Sequence, residues 1–326
     1  MSMKDKKFLT YNQQIKHLRD QKLIICSGVE DKKILCKSGY FNLINGYKMP
    51  FTCGKNPDDT YKYIKGTSIS HFYALKEFDD DLRYLLFKYL SKVEEEIRAF
   101  AAYKFDEVNK KSGAAWFEIQ AYDPNCDVST IVALISKAYA EISRSKQMYV
   151  KFHLDSHKLI PTWVLLKIIR LATFIDFIRH SKDGVRQSLC DLYSIKNARG
   201  YNDYSLLINS LHWIRDIRNM CAHNERIYSC VRKNGRIKES YLYTLPSTYR
   251  NESDQKIFDL LIYLKYYLSP HDYGILINEV KRLLTELNGK LHPNAYDNVR
   301  ASIGVKNVTH LDLLLANPKS IEYHKF

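Results

Sequence analysis

The stretch from Trp213 to Tyr228, WIRDIRNMCAHNERIY, carries residue types suited to chemistry on a phosphate. Arg218 and His223 lie five positions apart in it, with Asn219 after the arginine and Arg226 beyond the histidine. A histidine titrates near neutral pH, so it can take a proton from a 2′-hydroxyl or return one to the leaving 5′-oxygen. A guanidinium stays charged and can donate two hydrogen bonds to phosphate oxygens. The deprotonated 2′-hydroxyl can then attack the adjacent phosphate. Because DNA lacks this hydroxyl, the pair of side chains predicts metal-independent cleavage of RNA.

Apolar periodicity predicts one helix from Tyr204 to about Tyr228, with Asn202 or Asp203 as its N-cap. On such a helix Asn219 stands one turn before His223, where its amide can orient the imidazole. Arg218 and His223 are separated by about 140° around the axis. For both side chains to contact one phosphate, either the arginine side chain must extend around the helix or a second copy of the helix must supply one of the two residues. The spacing alone favours an ordinary polar helix face, or a core histidine paired with a carboxylate, over a catalytic pair.

The charge balance favours a polyanionic partner. The chain has 326 residues, with 50 Lys and Arg against 36 Asp and Glu, which gives a net charge of +14. Basic residues continue past the motif, and we predict that the following ones contact nucleic acid: Arg215, Arg226, Arg232, Lys233 and Arg236. A merely solvated basic loop remains an equally good interpretation of the segment after residue 230.

Several protein classes are disfavoured. The sequence contains neither an apolar run of membrane-spanning length nor an apolar signal core behind its first lysines, so we expect a soluble cytoplasmic protein. Seven scattered cysteines without a CxxC pair favour reduced thiols over disulfides or a thiolate zinc site. His153 and His157 have helical spacing but lack a third ligand pattern, and glycine-rich nucleotide loops are missing. We expect neither a metal nor a cofactor.

The elements that must position the motif are predicted to be helices, because only 12 glycines and 8 prolines interrupt 326 residues. We predict an all-α bundle made of a small N-terminal helical lobe (residues 1–65) and a larger helical domain (residues 66–326). Asn234-Gly235 marks either a short hairpin or a long basic loop after the motif helix. Besides the motif helix, the predicted helices span approximately residues 11–22, 32–47, 68–108, 129–144, 161–180, 183–193, 254–268, 272–287 and 296–303.

At this point the sequence resembles a known family. RNMCAHNERIY is similar to the RNxCAHxxR(L/I)(W/Y) signature of the Abi-like AbiD/AbiF abortive-infection proteins, which belong to the HEPN superfamily of Rx4-6H ribonucleases. FLTYNQQIKHLRDQKLI (residues 8–24) and SGYFNLINGYKMPF (residues 38–51) resemble the opening of the family. EFDDDLRYLLFKYLSKVEEEIR (residues 77–98) resembles its long central helix, and IPTWVLLKIIRLATF (residues 160–174) is a looser match.

The resemblance implies a HEPN-type bundle with Arg218 and His223 at the catalytic positions, Asn219 at the polar position and Arg226 as the downstream arginine. Asn224 departs from the family, which often has a second histidine there. Similar superfamily members form homodimers whose motifs face a shared cleft, which would supply the second helix. The resemblance further implies an endoribonuclease toxin of bacterial antiphage defence, with RNA as substrate and, for some relatives, a structured non-coding RNA as antitoxin.

Two alternatives from other classes stay open. One is an RNA-binding protein without catalysis, in which the same basic surface holds a regulatory RNA. The other is a helical scaffold that only assembles a defence system. The pair Glu94 and Arg98 on the long central helix also resembles part of the family pattern, and we interpret it as a structural ion pair.

Overall fold

The computed structural model describes residues 8–197, 199–232, 237 and 254–316. Within them the fold is mostly helical, which confirms the all-α prediction. A small antiparallel hairpin of β1 (Thr52–Lys55) and β2 (Tyr61–Tyr63) interrupts the helices. The helices are α1 (Tyr11–Lys22), α2 (Val29–Ser38), α3 (Ile69–Asn109), α4 (Val128–Arg144), α5 (Met148–Phe152), α6 (Thr162–Ile168), α7 (Leu171–His180), α8 (Asp183–Leu192), α9 (Tyr204–Ala222), α10 (Ile257–Tyr267), α11 (Pro270–Asn288), α12 (Pro293–Ile303) and α13 (His310–Ala316).

The 41-residue helix α3 is the central element of the fold. One face of it is apolar and buried from Leu82 to Ile97, as the three- and four-residue spacing predicts. Helices α6, α8, α9 and α11 all pack against it. Because α3 touches elements from both halves of the sequence, it is the frame on which the motif helix α9 is held.

The N-terminal segment is less regular than predicted. Helix α1 has the expected Thr10 cap, completed by Gln13 as a capping box. The single helix predicted over residues 32–47 is wrong, because α2 stops at Ser38 and Gly39 takes a left-handed φ of 72°. The chain then makes a π-helical turn over Phe41–Asn45. The hairpin of β1 and β2 was not predicted, and the proposed domain boundary at residue 65 stays a prediction.

The helix predicted over residues 161–180 is in fact two helices. The chain is extended at Ile169 and Arg170, and α7 starts again at Leu171. Glu141 of α4 explains the break, since its carboxylate accepts a hydrogen bond from the Arg170 amide (2.5 Å) and another from the Thr173 hydroxyl (2.6 Å). A side chain distant in sequence therefore acts as the N-cap of α7.

The remaining predictions are close to the observed bounds. Helices α4, α8, α10, α11 and α12 fall where expected, with ends shifted by a few residues. Helix α13 near the C-terminus was missed. The hairpin or loop predicted around Asn234-Gly235 lies outside the described residues.

The Glu141 cap can be tested by substitution. Glu141→Ala should lower the free energy of unfolding by about 1 to 2 kcal/mol, because the Arg170 amide at the start of α7 and the Thr173 hydroxyl lose their acceptor. Chemical denaturation measures the effect, with Glu95→Ala on an exposed position of α3 as the control. A Glu141 variant as stable as the control would contradict the capping role.

Candidate active site

The motif helix α9 ends earlier than predicted. Asp203 caps its start, accepting a hydrogen bond from the Leu206 amide at 2.9 Å. The helix stops at Ala222, and His223 is its C-cap. Asn224 then takes a left-handed φ of 55°, a conformation that asparagine tolerates better than most residues. The prediction that the helix continues to about residue 228 is therefore wrong, and Arg226 lies beyond the helix.

A buried carboxylate holds the segment that follows the motif. Asp79 of α3 is fully buried, and its Oδ1 accepts hydrogen bonds from the backbone amides of Ile227 (3.1 Å) and Tyr228 (2.7 Å). The Tyr47 hydroxyl donates to Oδ2 at 2.9 Å. Burial raises the pKa of Asp79, and these donors oppose the rise because they favour the charged form. We call this cluster the Asp79 anchor.

Arg83 extends the anchor by one helical turn. Its guanidinium is 6% exposed, pairs with the carboxylates of Asp79 and Asp80, and donates a hydrogen bond to the carbonyl oxygen of Glu225 at 2.9 Å. The chain just after His223 is thus tied to α3 through both backbone amides and a carbonyl. This arrangement fixes where the end of α9 points.

Arg218 lies against α3 in an ion-pair cluster. Its Nε is 3.0 Å from Oε2 of Glu94, without the alignment of a hydrogen bond, and its guanidinium sits 5.8 Å from the ring centre of Phe87. Glu94 also pairs with Arg98 at 2.9 Å. Since two guanidinium groups share one carboxylate, the cluster keeps a net positive charge. The Arg218 side chain is 33% exposed and Arg98 only 11%, so Arg218 is the accessible cation.

His223 lies in a separate environment. Its imidazole is exposed and lines a cleft of about 960 Å³ between the N-terminal elements and the end of α9, which we call the His223 cleft. The lining residues are Lys37, Ser38, Phe41, Asn42, Asn45, Gly46, Tyr47, Lys76, Asp80, Arg83, Tyr84, Met220, His223, Asn224, Glu225 and Arg226. Arg218 is outside this set, so one chain does not place both motif side chains in the same cleft.

Asn219 links the two motif residues in an unexpected way. Its side-chain oxygen accepts a hydrogen bond from Nη1 of Arg218 at 3.3 Å, instead of facing the imidazole. Its backbone carbonyl accepts the His223 amide at 3.0 Å. In this conformation Asn219 orients the guanidinium and not the imidazole.

Among the described residues that were predicted to contact nucleic acid, Arg226 lines the His223 cleft, whereas Arg215 and Arg232 do not. Arg215 pairs with Asp216 at 2.6 Å and contacts His212. Arg226 is exposed in the His223 cleft, where it donates to the carbonyl oxygen of Gly46. Arg232 lies over Trp213 at 6.0 Å. Lys233 and Arg236 are outside the described residues.

Sequence reasoning missed the functional context of two α3 residues. Glu94 and Arg98 form the predicted ion pair, but the contact from Glu94 to Arg218 was not foreseen. Asp79 was not singled out at all. A signal was present, because Asp79 falls on the buried apolar stripe three residues before Leu82, and Arg83 follows one turn later. A carboxylate at a core position needs partners, and these are the backbone of the motif segment.

The described residues provide neither a metal-binding cluster nor a membrane-spanning helix. They contain no group of three or more His, Cys, Asp or Glu side chains placed to hold a metal ion. His153 and His157 sit in a π-helical turn, where His153 is half-buried and His157 is exposed, and neither lines the His223 cleft. In the same part of the chain, every helix is too short or too polar to cross a bilayer.

Fold and site together define an all-α protein with an Arg/His motif at the end of a helix. A family model described as "Abi-like protein" matches residues 33–229, from α2 to the segment held by the Asp79 anchor. The match covers more than half of the chain, and the protein belongs to the Abi-like family. Membership in it suggests a function in abortive infection. Comparisons with curated proteins and with solved structures gave no significant match.

The Asp79 anchor predicts a large stability effect. Asp79→Ala should lower the free energy of unfolding by about 3 to 5 kcal/mol, because the buried amides of Ile227 and Tyr228 and the Tyr47 hydroxyl lose their acceptor and Arg83 loses one of its two carboxylate partners. Denaturant unfolding of the purified variant measures the loss. Asp81→Ala, an exposed aspartate on the same helix, should stay within about 0.5 kcal/mol of the parent. Equal stability of the two variants would rule out the anchor.

Proposed function

We propose that the protein is a metal-independent endoribonuclease toxin of a bacterial abortive-infection system. The 2′-hydroxyl of the target nucleotide attacks the adjacent phosphate, and the 5′-oxygen of the next nucleotide leaves. The products are a 2′,3′-cyclic phosphate and a 5′-hydroxyl. The proposal is supported above all by the exposed imidazole of His223. It lines a cleft at the end of α9, the helix that carries Arg218.

In this mechanism His223 is the general acid and base. Its exposed imidazole is reachable by an RNA strand lying in the cleft, and its backbone is fixed by the end of α9 and the Asp79 anchor. A positioned side chain of this type contributes roughly 10²- to 10⁴-fold to the rate of proton transfer. The 2′-hydroxyl proton goes to one imidazole, and an imidazolium returns a proton to the leaving oxygen.

Arg218 stabilises the negative charge that builds on the phosphorane. Glu94 contacts Nε and Asn219 accepts a hydrogen bond from Nη1, so the remaining N–H groups of the two terminal nitrogen atoms are the ones that can meet a phosphate. The carboxylate is shared with Arg98, which donates to the carbonyl of Leu166 and stays nearly buried. Glu94 and Arg98 are therefore positioning residues, and Arg218 is the one that touches the substrate.

A homodimer completes the proposed active site. Arg218 faces α3 beside Phe87, whereas His223 faces the cleft at the helix end. The two side chains therefore lie in different surroundings within one chain. A second copy of α9 packed across a two-fold axis places the arginine of one chain near the histidine of the other. Arg226 and Arg232 then provide further positive charge for the RNA backbone, and a structured non-coding RNA on the same surface would act as the antitoxin.

Substitution of the two motif residues tests the proposal. His223→Ala and Arg218→Ala should each lower the rate of RNA cleavage by at least about 100-fold, because one removes the proton carrier and the other the phosphate ligand. Cleavage of labelled RNA by the purified variants in EDTA measures the effect, and thermal unfolding shows that they remain folded. Growth arrest on induced expression should disappear in parallel.

Matched controls separate the motif from general surface charge. His271→Ala and Arg144→Ala remove an exposed histidine and an exposed arginine that are distant in sequence from the motif. Both variants should cleave RNA like the parent protein. Full activity in the folded His223→Ala variant would defeat the catalytic assignment. Loss of cleavage by the parent protein in EDTA would defeat the metal-independent chemistry. RNA that co-purifies without cleavage or toxicity would favour the RNA-binding alternative.

A further inference from the structure

Two large aromatic side chains that line the His223 cleft are exposed. Phe41 belongs to the π-helical turn after α2 and is 74% exposed, and Tyr84 projects from α3 and is 67% exposed. Phe87 follows Tyr84 by three residues on the same face of α3, beside Arg218. Exposed rings therefore lie along the surface that runs from Arg218 to His223.

These rings are not required by the core. Residues that neighbour them in sequence, such as Leu43, Ile44 and Leu82, are fully buried and fill the interior. An exposed aromatic ring gives up the stabilisation that burial of its apolar surface would provide. Two such rings on one cleft, beside a histidine that could transfer protons, point to a ligand with a flat, apolar group.

The polar lining of the cleft fits a nucleotide. The side chains of Asn42, Asn45 and Asn224 make no hydrogen bond within the described residues, and amides can both donate to and accept from base edges and 2′-hydroxyl groups. Lys37 is exposed at the rim, without an ion-pair partner in the described chain. Aromatic faces, amide groups and a free cation together match a base, a ribose and a phosphate.

We propose that Phe41 and Tyr84 stack on unpaired nucleobases that flank the scissile phosphate, so that the protein takes single-stranded RNA or loops. This inference rests on the proposed function of the same site. Bases in a duplex are already stacked and paired, so their faces are not available to the two rings. The N-terminal segment, which carries Phe41, Asn42 and Asn45, thereby contributes to substrate choice.

Binding measurements in a cleavage-deficient background test the proposal. Fluorescence anisotropy of a short, unstructured, labelled RNA is measured with the His223→Ala protein, and Phe41→Ala or Tyr84→Ala is then added. Each added substitution should weaken binding about 10-fold. Tyr103→Ala, which removes a 60% exposed tyrosine of α3 outside the cleft, should leave binding unchanged. Tyr84→Phe should also bind like its parent, since it keeps the ring, and the same RNA annealed into a duplex should bind more weakly.

The outcomes separate this inference from the proposed function. If the unmodified protein cleaves RNA but Phe41→Ala and Tyr84→Ala bind as tightly as the Tyr103 control, the stacking assignment is overturned and the nuclease assignment stands. If the unmodified protein does not cleave and the two rings still control binding, the nuclease assignment fails and the stacking site is supported. Equal affinity for single strands and duplex would overturn the preference for unpaired RNA.

Discussion

The arrangement of the site depends on one buried carboxylate. Asp79 sits in the apolar face of α3, where an isolated charge would be costly, and it is compensated by the amides of Ile227 and Tyr228 and by the hydroxyl of Tyr47. Because these donors come from the segment just after the motif and from the N-terminal elements, one side chain joins three parts of the chain. The direction in which α9 ends, and thus the exposure of His223, follows from that junction.

The second constraint is the antiparallel packing of α9 on α3. Contacts pair Arg218 with Glu94 near the middle of α3 and Glu225 with Arg83 nearer its start. The stretch of α3 between these contacts carries Tyr84 and Phe87, so the charged cluster, the exposed rings and the cleft lie along one surface. A single long helix thereby sets the spacing between the Arg218 guanidinium and the His223 imidazole.

Sequence reasoning succeeded where local periodicity dominates and failed where a distant side chain decides. The stripe of α3 and the Thr10 cap of α1 are local features and were predicted closely. The break before α7 depends on Glu141, which lies 29 residues before Arg170 in sequence, and the end of α9 depends on the Asp79 anchor. Asn224 did carry a local signal, since asparagine commonly follows a helix end, but it was outweighed by the helical pattern around it.

The proposed mechanism requires that RNA supplies its own nucleophile, the 2′-hydroxyl beside the scissile phosphate. The sharpest test uses an RNA that the protein cleaves, with the 2′-hydroxyl at the cleavage position replaced by hydrogen. This 2′-deoxy substrate is incubated with the purified protein in EDTA. Cleavage at that position should stop, while the unmodified RNA should yield a 2′,3′-cyclic phosphate and a 5′-hydroxyl. Undiminished cleavage of the 2′-deoxy substrate, or a 5′-phosphate on the product, would contradict it.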